Sequence, residues 1–463
     1  MVEPADITDA LEALKARQKA YAHYAAYYAG KHDLKFATDA FRQAFGHMFK
    51  TMAYNRCRSV VDAYADRLNV TGWETPGIEE GQTDALGQAA TDIWNRNRMP
   101  KRQGELFTEA FRSGDAYLIV WPGDDGLARL DINAGHLIEP VYDDEYPERL
   151  TMAVKCWQIA RGSDKGKWRV NTYDGEAITR WITSNARSER PVKANALIPY
   201  ESDTEPAETF HDYGAVPVFH LGNDAPTGWY GASELCDVIP LQDGMNKNLN
   251  DMLVVSEYAA YRQRWAVGVE PVVNPRTNED DEAFKPGVDR LWAVADPDAK
   301  FGEFDASDMA QFVSVQESWD RKISNVSRVP LHWLGMQGEF PSGESLKTAE
   351  GPFTSKIKDR QTAFGDVLGD ALAYALHIEQ GAPIDTDLQP IWQPAETRSE
   401  LEALQQATMK KALGLPDAQL WAELGYSQEE IAEFTAAKEE AEQKRMEQFA
   451  TSFDRGGTPP FGG

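Results

Sequence analysis

Gly162-Ser163-Asp164-Lys165-Gly166-Lys167-Trp168 is the stretch nearest to a phosphate-binding loop. Such a loop needs two glycines at a wider spacing, so that backbone N–H groups cradle phosphate. It also needs a Ser or Thr after the lysine to hold Mg²⁺. Here the glycines stand too close and Trp168 follows Lys167, so a surface β-turn is the better reading. No Gly-x-Gly-x-x-Gly, His-Glu-x-x-His or Cys-x-x-Cys occurs. The eight histidines are scattered, and neither His211 nor His220 has ligand-like neighbours in sequence. The carboxylate groups Asp124-Asp125 and Asp143-Asp144-Glu145 read as solvated turns. No catalytic residue, metal-ligand set or cofactor is predicted. Arg56, Arg58 and Arg67 lie off the apolar stripe of Asn55 to Leu68. They could touch nucleic acid or make ion pairs; Arg58 and Asp62 are spaced i,i+4, and Asp66 follows on the same side. Both readings stay open.

The chain has 463 residues and a net charge of −27. That length allows two to four domains and a sizeable core. Hydrophobic residues make 42% and charged residues 26%, which reads as soluble and globular. The acidic balance argues against binding DNA by broad phosphate neutralisation. Cys57, Cys156 and Cys236 are odd in number and far apart, so reduced, buried thiols are expected rather than a disulfide framework. Met1 to Gln18 is acidic without an apolar run, which does not read as a signal peptide. No apolar stretch approaches the roughly 18 residues of a transmembrane helix.

These side chains need elements to position them. Residues 5 to 72 read as mostly helical, with Asp6 to Asp9 as caps and Gly72 as terminator. The stripe Cys57, Val60, Val61, Tyr64 and Leu68 has helical spacing. Ala85 to Arg98 predicts a helix stopped before Pro100, and Lys101 to Arg112 another. The pattern then turns to β: short apolar runs from Tyr117 to Ile182 predict a meandering antiparallel sheet across residues 115 to 222. Asp174-Gly175 suits a type I′ hairpin, and Gly222 to Gly231 reads as a linker.

A long helix follows, Ser233 to Tyr261, with Ser233 as plausible N-cap. Positions 235, 238, 242, 245, 249, 252, 256 and 259 hold Leu, Val, Gln, Met, Leu, Met, Ser and Ala. A second arm, Ser307 to Arg328, has Met309, Phe312, Gln316, Trp319, Ile323 and Val326. Both series repeat every 3.5 residues, and the first arm is on the order of 40 Å long. Between them lies a Pro-broken insert, residues 265 to 304, with the acidic run Glu279-Asp280-Asp281-Glu282 and the apolar run Arg290 to Val294. The insert forces the arms to run antiparallel. The stripes read as packing between copies or as ordinary core faces. Residues 331 to 344 form a Gly-rich loop, and Ser345 to Glu379 is helical, with a kink expected at Gly351-Pro352. A helical C-terminal module runs to Gln448, its last helix opened by a capping box at Ser427 to Glu430. Thr451 to Gly463 reads as disordered.

The order of these segments resembles the phage portal proteins, in particular the Gp6-like family. It is carried by Asn55 to Asp62 with Arg67-Leu68, by Gly114-Asp115-Ala116-Tyr117, and by Tyr230-Gly231-Ala232-Ser233-Glu234-Leu235. Ile239 to Asp243, Asn246-Lys247 and Pro341 to Lys347 complete it. The resemblance covers nearly the whole chain and implies an α+β portal fold. Its mixed wing would take residues 1–232, with 345–395 returning to it as a long helix and join. The helical-hairpin stem would be 233–264 and 305–330, and a small α/β clip 265–304. The tunnel loop would be 331–344, a short helical crown 396–450, and the tail 451–463. It implies a ring of about twelve subunits at one capsid vertex of the virion, assembled in the host cytoplasm, with no enzyme activity and no membrane. Duplex DNA would pass through it during packaging and ejection. Partners would be the major capsid protein, the terminase large subunit and a head-completion or adaptor protein. The DNA-proximal residues would be Gly335, Gln337, Gly338, Glu339, Phe340, Ser342 and Lys347. Stem packing between subunits would use Leu235, Met245, Leu249, Met252, Met309, Phe312, Trp319 and Ile323. Docking at the clip would use Glu279, Asp280, Asp281, Glu282, Arg290 and Trp292. Alternatives are another structural head or neck component, or a DNA-processing enzyme; the missing phosphate loop opposes the enzyme.

Overall fold

The computed structural model describes residues 3–32, 54–77, 84–202, 205–260, 264–267, 300–303, 309–335, 343–384, 386–396, 400–424 and 428–454, together with Asp298 and Tyr426. Two compact units result. Met1–His32, Asn55–Pro240 and Ile323–Gly463 form the larger; Asp33–Tyr54 and Leu241–Lys322 form the smaller.

In the larger unit, α1 (Pro4–Tyr28) opens on Pro4, which needs no N–H partner in a first turn. Glu3 and Asp6 cap it reciprocally, Glu3 N donating to Asp6 Oδ2 at 3.1 Å. The cap expected at residues 6 to 9 therefore lies inside the helix. Helix α2 (Arg56–Ala65) is capped by Asn55, whose Oδ1 accepts from Arg58 N at 3.2 Å. Its stripe Cys57, Val60, Val61 and Tyr64 is fully buried. Gly72, read as a terminator, instead sits in β1 (Val70–Glu74). Helix α3 (Ala85–Arg96) is followed by α4 (Met99–Ser113), in whose first turn Pro100 stands. Gly114 ends α4 at φ +92°, a conformation that an L side chain resists.

Nine strands follow: β2 (Asp115–Pro122), β3 (Ala128–Ala134), β4 (Ile138–Tyr142), β5 (Leu150–Gln158), β6 (Trp168–Tyr173), β7 (Ala177–Thr183), β8 (Leu197–Pro199), β9 (Glu208–Phe210) and β10 (Val218–Gly222). They make two antiparallel sheets rather than one meander. One has the order β10-β2-β3; the other runs β4-β5-β6-β7-β8, with β9 also paired to β7. The return of β10 to β2, Val218 opposite Ile119, splits them. The turn after β6 is not type I′. Neither Asp174 nor Gly175 has positive φ, and Asp174 Oδ1 instead accepts from Glu176 N and Ala177 N at 2.8 and 2.7 Å. The phosphate-loop look-alike is the β5–β6 turn, with Gly162 and Gly166 both at φ +85°. No helix follows it to supply the N–H groups of a phosphate site.

The larger sheet is buried on both faces, which is why Met152-Ala153-Val154 of β5 does not alternate with polar residues. Met152, Val154 and Cys156 pack under Ile7, Leu11 and Leu14 of α1. Ala153, with Tyr173 and Ile178, packs against Tyr117, Ile119 and Val218 of the smaller sheet.

In the smaller unit, α5 (Val238–Ala260) begins five residues after Ser233, with Pro240 in its first turn; there a proline is tolerated. Strands β11 (Arg264–Val267) and β12 (Lys300–Glu303) pair antiparallel, Arg264 opposite Glu303. Helix α6 (Ala310–Ser327) returns. Gly244 of α5 lies against Trp319 of α6 so closely that a Cβ there would come within 2.8 Å of the indole ring. Four residues along, Asn248 Nδ2 donates to Phe312 O at 3.2 Å. Rising numbers on one arm meet falling numbers on the other, so the arms are antiparallel, as the insert requires. The insert residues 268–297, including Glu279, Asp280, Asp281, Glu282, Arg290 and Trp292, lie outside the described residues.

Back in the larger unit, α7 (Gly343–Gln380) runs through Gly351 and Pro352 without interruption. It buries Phe353, Ile357, Phe364, Leu368 and Leu372. β13 (Gln389–Trp392) pairs with β1. Gly414, at φ +96°, separates α8 (Glu400–Ala412) from α9 (Asp417–Glu423). Helix α10 (Gln428–Asp454) extends three residues past Thr451, where disorder was expected to begin; its proposed cap, Ser427, is outside the described residues.

Candidate functional site

Three of the segments singled out in the sequence converge in the larger unit. Gly114 ends α4 and Gly231 lies against it: a Cβ on Gly231 would stand 2.0 Å from Gly114 O and 2.6 Å from Asn223 N. The residues after Gly231 are stitched to the end of α4. Ser233 Oγ donates to Arg112 O at 2.6 Å and Glu234 N to Phe111 O at 2.9 Å. Asn223 Nδ2 donates to Ala232 O at 2.7 Å, while α7 contributes Lys356 to Glu234 (2.6 Å) and Arg360 to Asn223 (2.7 Å). Ser233 thus anchors the approach to α5 rather than capping it.

Beneath this joint lies a buried charge network. Asp115 accepts from Gly231 N (2.7 Å) and Tyr21 OH (2.6 Å), and His220 Nε2 lies 2.8 Å away. Arg17 bridges Asp115 (3.5 Å) and Glu139 (2.5 Å), and its guanidinium sits 3.5 Å over the Tyr230 ring. Tyr230 OH donates to Glu139, and Tyr142 OH bonds His220 Nδ1 at 2.7 Å. Burial works to raise the Asp115 pKa, but the hydrogen bonds from His220, Tyr21 and Gly231 N–H outweigh it and hold the carboxyl below its ordinary range. Burial wins at Glu139, whose pKa is raised despite Arg17. In sequence, His220 has no neighbour of this kind, and Arg17, Tyr21, Glu139 and Tyr142 were not predicted at all. The one signal was the i,i+4 pairing of Arg17 and Tyr21 in an otherwise apolar-faced helix.

A second cluster surrounds the chain between α6 and α7. Tyr64 OH donates to Ser327 O at the end of α6. Its ring stacks on Phe353 at 5.1 Å, and Phe353 meets Trp333 edge-on at 4.8 Å. Arg67 lies 4.6 Å over the Trp333 ring, and His332 Nε2 is 3.2 Å from Glu350 Oε1. Gly335, at φ +76°, ends the short helical turn Leu331–Leu334. The arginines of the segment Asn55 to Leu68 are thereby accounted for: Arg58 pairs with Asp62 at 3.3 Å, Arg56 is buried, and Arg67 covers Trp333.

The residues expected to pack between copies divide. Leu235, Met245 and Ile323 are 0% exposed within a single chain, so they are not available to another copy. Leu249, Met252, Met309, Phe312 and Trp319 are half-buried. Val326 (46%), a member of the stripe, is exposed, as are Val313 (52%) and Val315 (44%) of α6, which lie off it and were not predicted. Lys347 is exposed on α7. Gln337, Gly338, Glu339, Phe340 and Ser342 lie outside the described residues. Cys57 and Cys156 are buried as expected; Cys236 is exposed, with Sγ 3.1 Å from Tyr24 OH. Among the described residues no three His, Cys, Asp or Glu side chains are grouped to hold a metal, and no helix is long and apolar enough to cross a membrane.

The Gly244–Trp319 contact carries a prediction. Gly244→Val should destabilise the arm pair by about 1–3 kcal/mol through overpacking, and adding Trp319→Ala should recover part of the loss. A thermal melt of both variants checks this; no recovery in the double variant contradicts it.

Residues 10–445 match the family of phage portal proteins described as SPP1 Gp6-like. The chain belongs to that family. The portal protein of Mycobacterium phage D29 is 22% identical over 421 residues, covering 87% of this chain and 82% of the relative. That of Mycobacterium phage L5 is 22% identical over 425 residues, with the same coverage. Among solved structures, a chain in the neck of the empty gene transfer agent (GTA) particle is 15% identical, with a TM-score of 0.43, covering 80% of this chain and 89% of that one. A chain in the virion of the native particle is 17% identical, with a TM-score of 0.42, covering 80% and 88%. As a portal protein this α+β chain forms a ring at one capsid vertex, and its family is structural rather than a known enzyme family.

Proposed function

We propose that this portal ring is the channel through which duplex DNA is packaged and ejected, and the platform for its docking partners. The observation that carries the reading is the antiparallel arm pair, closed by a paired ladder. The two arms are the stem. The insert between Val267 and Lys300 is the clip, where the terminase large subunit and later a head-completion or adaptor protein dock through Glu279 to Glu282, Arg290 and Trp292. The larger unit supplies the wing, beside the major capsid protein. Residues 331–344 are the tunnel loop nearest DNA, and the helices from residue 400 form the crown. Assembly takes place in the host cytoplasm.

The net charge of −27 supports a channel that does not grip. One carboxylate about 10 Å from a phosphate repels it by only ~0.4 kcal/mol in water before screening. Each encounter is weak, while a ring of them disfavours binding everywhere.

Leu249, half-buried in one chain, and exposed Val313 are among the residues left for a neighbouring copy. Each buried apolar side chain contributes about 1.5–3 kcal/mol, repeated round the ring. Leu249→Asp with Val313→Asp should give folded monomer without rings in negative-stain images and light scattering. Intact rings from this variant overturn the stem assignment. Trp319 is a poorer probe than its position in the stripe suggested, because its ring is engaged by Gly244 of the same chain.

A further inference from the structure

We propose that His332, Glu350 and Trp333 are positioning residues for the DNA-proximal loop, resting on the tunnel-loop assignment above. The chain leaves the described structure after Gly335 and re-enters it at Gly343. His332 stands three residues before the first of these points and Glu350 seven residues after the second. Their side chains meet at 3.2 Å, and both are largely buried, with side-chain exposures of 18% and 8%. A hydrogen bond to a charged group out of solvent is stronger than a surface one. It ties the two ends of the excursion directly to each other.

A second tie runs parallel to it. Trp333 is held between the Arg67 guanidinium at 4.6 Å and the Phe353 ring at 4.8 Å. Phe353 in turn stacks on Tyr64, whose hydroxyl grips Ser327 O at the end of α6. Ser327 Oγ also bonds Ile323 O (2.7 Å), and Ser324 Oγ bonds Val329 O (2.7 Å). The chain reverses between these bonds at Arg328, whose φ of +58° departs from the usual range for a non-glycine residue. One aromatic column therefore fixes the end of α6, the turn before the loop and the third turn of α7 against α2. The segment Asn55 to Leu68, which drew attention for its arginines, acts through Tyr64 and Arg67 as the wall of that column.

Such a base does not determine what the loop touches. It determines where the loop starts from, identically in every subunit. Twelve or so loops sharing a channel act on a common duplex only if their bases hold the same height and direction.

The test uses rings of His332→Leu, Glu350→Leu and His332→Gln, with a variant lacking residues 338–342 as reference. Glutamine at 332 can still donate to Glu350, whereas leucine cannot. Hydrogen exchange of peptides spanning 329–350 is measured on the rings, and DNA content on assembled particles. For His332→Leu and Glu350→Leu, exchange at the loop base should rise on the order of tenfold, the factor that one lost hydrogen bond of this kind carries. Melting temperature should fall by only about 2–4 °C, the shift that a loss of about 1 kcal/mol gives in a unit of this size. DNA content or retention should fall, and His332→Gln should restore both readings. Unchanged exchange in His332→Leu overturns the proposal. So does raised exchange with normal DNA content, provided the loop deletion is itself defective. If the deletion packages and retains DNA normally, the tunnel-loop assignment fails instead, whatever the exchange shows.

Discussion

Arg17→Met lowers the stability of the larger unit by about 3–5 kcal/mol, the range for removing one partner of a buried ion pair. Arg17 bridges Asp115 and Glu139, which are 1% and 2% exposed. Without it, two carboxylates face each other out of water. Methionine fills most of the volume, so the loss reports charge rather than a cavity. The pH dependence carries the sharper signature. Glu139 is already raised by burial, with Arg17 the largest influence opposing it; removing Arg17 raises it further. A carboxyl raised in the folded state contributes stability that is fully present below its unfolded pKa and lost as pH rises through its folded pKa. The variant should therefore regain stability as pH falls through the raised, folded-state pKa of Glu139 towards the unfolded value. In the parent, Asp115 is held below its ordinary range. Its contribution is present above the unfolded pKa and disappears only as pH falls through the lower, folded one. Denaturant melts across pH check both signs, and a variant whose stability is flat over that interval shows that the network does not depend on Arg17.

Gly231→Ala is the second large effect. The new methyl would stand 2.0 Å from Gly114 O and 2.6 Å from Asn223 N. Both obstacles are backbone, and Gly114 itself holds φ +92°, so no side chain can swing aside. The joint must open. Opening it breaks the bond from Gly231 N to Asp115 and strains those of Asn223 and Ser233. We expect a loss of about 3 kcal/mol or more, at or beyond the upper end for overpacking, with markedly reduced yield of assembled rings. Gly123→Ala, whose contacts are the side chains of Asp125 and Arg129, is the control that should be mild. Equal melting temperatures for the two variants contradict the assignment.

Much of this was legible in sequence because local period and punctuation decide it. The stripe of α2, the strands from Tyr117 to Ile182 and the antiparallel arms all follow from spacing and from prolines. Legibility failed where a distant partner decides. Two sheets replaced one because β10 crosses back to β2, a pairing about a hundred residues apart that no local pattern encodes. Ser233 looked like a helix cap, since capping chemistry is the same whether the oxygen serves its own helix or, as here, bonds the carbonyl of Arg112. Leu235, Met245 and Ile323 fit a stripe for subunit contact, but period alone cannot say which chain covers an apolar face. The network of Arg17, Asp115, Glu139 and His220 was invisible for the same reason: its members come from four elements, and each looks ordinary in its own segment.

The ladder between Arg264–Val267 and Lys300–Glu303 brings the two ends of the insert side by side. A segment that departs and returns at paired positions is modular. Its length can change without shifting the register of anything behind it, because each doubling of a closed segment's length costs only about 0.6 kcal/mol in closure entropy. That makes this stretch the natural place to graft a foreign peptide while keeping the paired arms unchanged.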